Sequence, residues 1–148
     1  MRRKGACGLN ATHDRRIVAA AEGPIRHALE ELRIVPAEHR PFVVVEEPLL
    51  SLIVQFTGST HAPLCLDAPF VALSPSRRAN LARVLERATL ADKPHIAERG
   101  EWSWIVRGVS PAEGARLALV LFRDAFGLPD DATVTIARET TRPRHGRS

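Results

Sequence analysis

A chain of 148 residues, 45% hydrophobic and 26% charged, has the composition of a soluble globular protein and the length of one domain. Its two cysteines, Cys7 and Cys65, are too few for a disulfide framework, and no apolar run approaches a membrane span. The net charge of +4 sits at the ends: residues 1–16 carry +4 and residues 138–148 carry +3, whereas residues 17–137 carry −3. This distribution argues against a nucleic-acid-binding body.

In chain order, residues 1–16 read as a disordered basic leader without the apolar segment of a signal peptide. Ile17, Ala20, Ala21, Ile25, Ala28, Leu29 and Leu32 recur at helical spacing and predict a helix over residues 17–32. Asp14 is placed as its N-cap, with an interruption at Gly23 and Pro24. The period then becomes two. Residues 42–46 predict a strand rich in valine. Residues 49–57, "LLSLIVQFT", predict a second, with Leu50, Leu52, Val54 and Phe56 on an apolar face and Ser51, Ile53, Gln55 and Thr57 on a mixed one. A third strand is expected over residues 64–73, broken near Pro69.

Ser74 and Pro75 open a helix with Leu81, Val84, Leu85 and Ala88 as its buried stripe. "EWSWIV" at residues 101–106 predicts a strand with both tryptophans facing the same side. Ser110 and Glu113 stand at capping-box spacing before a helix that Gly127 ends and Pro129 follows. Residues 132–136 alternate as a last strand, and residues 138–148 read as a disordered basic tail. The order α-β-β-β-α-β-α-β over residues 17–137 predicts one α+β domain, an antiparallel sheet packed against helices.

No residue set argues for catalysis. The histidines are scattered without metal-ligand spacing, and phosphate-binding glycine loops are absent. The pairs Glu46–Glu47 and Asp130–Asp131 sit in turns, where turn chemistry explains them. Cys65 with His61 is a poor nucleophilic pair, because a strand cysteine is usually a small buried hydrophobe. No cofactor is implied.

Taken together and in order, "LIVQFTGS", "ALSPSRRANLARVL", "EWSWIV" and "SPAEGARLALVLFRDAFGLP" resemble the TY-Chap family. These are chaperone-like peptide-binding domains, many of them actinobacterial, similar to type III secretion chaperones and YbjN proteins. The resemblance spans residues 25–137 and implies a cytoplasmic, non-enzymatic module that holds an apolar segment of a client protein. The expected peptide-binding residues are Trp102, Trp104, Leu52, Val54 and Phe56, with the strand "LLSLIVQF" as an apolar wall and the tryptophans beside it. A homodimer is compatible with the sequence, and so is weak nonspecific nucleic-acid binding by the basic ends. The rival readings are a nucleic-acid-associated regulator using those ends and an immunity or antitoxin-like protein.

Overall fold

Alternation of buried and half-exposed positions builds the central strands of the sheet. A computed structural model describes residues 10–91 and 97–142, the side chains of 10–13, 88–91 and 141–142 excepted. Its strands are β1 (Asn10–Ala19), β2 (Phe42–Glu47), β3 (Leu52–Thr57), β4 (Leu64–Pro69), β5 (Ala97–Arg99), β6 (Ser103–Val109) and β7 (Thr133–Arg142). Among the described residues they form one sheet in the order β1-β7-β2-β3-β4-β6-β5, every neighbouring pair antiparallel. The helices are α1 (Glu22–Leu32), α2 (Pro75–Ala91) and α3 (Pro111–Val120), which continues as a π-helical turn over Leu121–Ala125. The α+β class and the antiparallel sheet are as the sequence predicts.

One face of the sheet carries Val43, Val45, Leu52, Val54, Phe56, Leu64, Leu66, Ala68, Trp104 and Val106, all buried in the single core. The helices fill the other side of that core with Ile25, Ala28, Leu29, Leu32, Leu81, Leu85, Ala115, Ala118 and Phe122. Helix α3 comes close because Gly114 has no side chain. A Cβ there would lie 3.0 Å from Leu29 Cδ1 and 3.1 Å from Phe56 Cε2, tighter than a filled core accommodates. The opposite sheet face keeps partial exposure at Val44, Ile53, Gln55, Cys65, Asp67 and Ile105.

The structure corrects several expectations. Residues 10–16 are not a disordered leader and 17–19 are not helical, because all of them belong to β1, which pairs along its whole length with β7. Asp14 therefore caps no helix. Gly23 and Pro24 fall in the first turn of α1, where a proline's missing N–H is harmless, so no break results. Strand β4 ends at Pro69, and residues 71–73 turn toward α2 instead of continuing the strand. Residues 138–142 extend β7 rather than forming a tail. Strand β5, unforeseen, supplies a further strand next to β6. Residues 1–9 and 143–148 of the expected leader and tail lie outside the described residues.

Candidate functional site

Strands β2 and β4 finish, and β3 and β6 begin, at one end of the sheet. The links there are short. Residues 48–51 join β2 to β3, with Ser51 in the left-handed region at φ 55° and Glu47 Oε1 accepting from the Leu50 N–H at 2.8 Å. This turn leaves Leu49 91% exposed and Leu50 half-exposed. Next to it, residues 71–73 leave Val71 exposed. Arg78 of α2 braces that turn by donating to the carbonyls of Val71 at 2.7 Å and Leu73 at 3.1 Å.

The third link is the β5–β6 hairpin. Arg99 pairs with Trp104, and the Gly100 N–H donates to the Ser103 carbonyl at 2.8 Å. Glu101 and Trp102 are thus the two residues of the hairpin tip. The Trp102 carbonyl accepts from the Phe70 N–H at 3.1 Å, which ties the tip to the end of β4. Beside it, the Arg99 guanidinium lies 4.6 Å from the centre of the Phe70 ring, a cation–π contact that covers a mostly buried aromatic.

This geometry separates the two tryptophans. Trp104 lies within β6, 9% exposed, and packs in the core; Trp102 is 64% exposed at the tip. The expectation that both rings share one side of a strand is corrected, because the chain turns at residues 101–102 and strand alternation starts only at Ser103. Leu52, Val54 and Phe56 are also core residues, 0–1% exposed. The apolar face of "LLSLIVQF" is the face the helices cover, so these three side chains and Trp104 have no surface to offer a client in this fold. Of the five residues expected to bind, only Trp102 is accessible. Leu49, Leu50 and Val71 join it at the same sheet end. Leu49 and Leu50 belonged to the predicted strand, and only the turn at 48–51 exposes them.

Electrostatics add little there. Burial pushes the Cys65 thiol up, against a smaller lowering by Arg107, the opposite of what activates a nucleophile. His61 is exposed in the β3–β4 loop. At the far end of the sheet, Arg138 of β7 is ion-paired with Asp14 of β1 and Glu31 of α1. His27 lies 3.5 Å from Glu31. The Arg138 guanidinium holds the Asp14 carboxyl below its ordinary value of 3.8. A shallow cleft of about 520 Å³ opens between residues 37–42 and 57–63. Ser59, whose buried Oγ has no hydrogen-bond partner among the described residues, is part of its lining. Among the described residues, no group of three or more His, Cys, Asp and Glu side chains is arranged to hold a metal ion, and no helix is long and apolar enough to cross a membrane.

No protein-family model, curated protein or solved structure matches the chain.

Proposed function

We propose that the protein is a non-enzymatic, chaperone-like binding module that holds an apolar segment of a client protein against the sheet end formed by Trp102, Val71, Leu49 and Leu50. One observation carries this reading: a tryptophan 64% exposed on a two-residue hairpin tip, at the end of the sheet where three further large apolar side chains are exposed. Single apolar side chains on a surface are ordinary, whereas four at one sheet end, an aromatic among them, have the make-up of an interface. The tip is also held in place. Its backbone is tied to β4 through Phe70, and the neighbouring turn is braced by Arg78, so little ordering remains to oppose binding. The resemblance to the TY-Chap family supports the same activity. A cytoplasmic location fits a free thiol at Cys65.

The test uses the chain's own fluorescence. Titrating extended apolar peptides into the full-length protein should shift the emission of Trp102 to the blue, with Trp104 as a buried background. Trp102→Ala should weaken peptide binding about 30-fold or more, the loss of an interface anchor worth about 2 kcal/mol, with an unchanged melting temperature. Undiminished binding by this variant would place the client elsewhere and remove the basis of the proposal.

A further inference from the structure

The half-exposed face of the sheet, away from the helices, has a pattern the client reading does not use. We propose that this face is the contact surface for a second copy of the chain, packed sheet on sheet about a two-fold axis that runs along β3. The inference stands independently of the client site at the sheet end.

Strand β3 is the fourth of seven in the sheet, so an axis along it sets each strand of one copy over its counterpart at equal distance on the other side. Strand β1 then lies over β5, β7 over β6, β2 over β4, and β3 over itself. The observed register decides what meets. One cross-strand row on the open face runs from Arg15 on β1 to Glu98 on β5, by way of Ala137, Gln55 and Ile105. Across the axis, Arg15 faces Glu98, Ala137 faces Ile105, and Gln55 faces Gln55. The charged ends are opposite in sign, with Glu98 also ion-paired to Arg107 of its own chain; the next positions are apolar, with Ala137 already buried in its own sheet; and two carboxamides on the axis can each donate to the other.

The adjoining row repeats the result. Phe42 faces Cys65 and Thr57 faces Thr57. Arg107 faces Glu139, a residue that also makes a contact within its own chain. Val44 opposite Asp67 is the one pairing in these two rows without complementarity. The ion pairs fall at or near the rim, where long side chains accommodate the crossing of about 30° between packed sheets. An isologous contact needs a self-complementary surface, and these two rows supply one about a single axis.

Area sets the strength. Seven strands about 4.8 Å apart and about six residues long give a face of roughly 600 Å² per copy, about 1,200 Å² in all. That is the lower limit of a specific interface, the size of weak and transient associations, which are commonly micromolar.

Sedimentation of the full-length protein over about 1–200 µM should show a monomer–dimer equilibrium in that range. Gln55→Arg sets two guanidinium groups face to face on the axis and should weaken the dimer at least tenfold without changing the melting temperature of the monomer. Arg15→Glu should weaken it several-fold and Arg15→Lys should leave it nearly unchanged, a dependence on charge that a merely structural role of the residue does not give. Alkylation of the wild-type Cys65 by iodoacetamide should slow several-fold as protein concentration passes through the dimer range. A monomer throughout overturns the proposal, including one whose Cys65 is protected at every concentration, which would assign another cover to the face. A dimer indifferent to Gln55→Arg, or one that Arg15→Glu leaves unweakened, overturns the face or the axis.

Discussion

Asp14 and Arg138 are 124 residues apart in sequence and meet because β1 and β7 pair. Their contact is where the two ends of the chain gain a structural role. Read as sequence, Arg15, Arg16 and Arg138 belong to basic ends; in the fold they lie in strands, and Arg138 is largely buried between two carboxylates. Charge counting had no means of seeing this, since it carries no information on pairing between distant segments. The consequence is testable by pH. The carboxyl of Asp14 is depressed below 3.8, chiefly by its hydrogen bond to Arg138. A depressed carboxylate adds stability that is present above its unfolded value and lost as pH falls through the folded one. The wild-type melting temperature should therefore fall more steeply than that of Asp14→Asn between about pH 4 and pH 2. Parallel curves would mean that the pair does not form in solution. The same limit governs the tryptophans. Alternation is a sound guide within a strand, but a two-residue hairpin at Glu101 and Trp102 lacks the Asn-Gly or Asp-Gly pattern that announces such a turn.

Local signals were sufficient for the starts of α2 and α3, though not for α1, which begins at Glu22 without a side-chain cap. Ser110 Oγ accepts from the Glu113 N–H at 3.1 Å, and Glu113 Oε1 accepts from the Ser110 N–H at 2.9 Å, the reciprocal box that the spacing predicts. Ser74 also caps α2, accepting from the Arg77 N–H at 3.3 Å, but an arginine at the third position returns no bond. Ser110→Ala should cost about 1 kcal/mol in denaturant unfolding, and Ser74→Ala less. The reciprocal bond uses the Ser110 backbone N–H, which Ser110→Ala keeps, so Glu113→Ala tests it: this variant should also lose stability, and no loss would show that the bond adds nothing. The strands divide in the same way. Strands β2 and β3 were legible because valine, leucine and phenylalanine alternate over a buried face. Strand β1 was not, because its polar and arginine-rich run has no apolar period and is held at an edge by pairing with β7. The three residues of β5 are too few to carry a period at all. The candidate site was half legible for a related reason. The apolar strand "LLSLIVQF" was recognised, but sequence alone does not say which face the helices cover, and they cover Leu52, Val54 and Phe56.

A sheet with helices on one face and two dissimilar edges does not hold together evenly. Strands β2, β3 and β4 are bonded on both sides and lie over the core, where Val45, Val54, Phe56 and Leu66 are fully buried. Strand β1 is bonded only to β7 among the described residues, and it presents Arg15, Arg16 and Ile17 to solvent, charges of the kind that keep an edge from recruiting further strands. Strand β5 is bonded to β6 over three residues, with only Ala97 partly packed on the core. Opening either edge exposes little apolar surface, whereas opening the centre exposes the whole core. Amide exchange should follow this difference. The bonded amides of β2, β3 and β4 should exchange only by global unfolding, and those joining β1 to β7 and β5 to β6 about 100-fold faster or more. The proposed dimer sharpens the measurement, because its contact is centred on β3 and reaches β1 and β5 only through side chains at the rim. Raising the protein concentration should therefore slow exchange across β2, β3 and β4 and leave the outer amides of β1 nearly unchanged. Protection that grows at β1 instead would mean that copies join edge to edge, with the sheet continuing from one chain into the next.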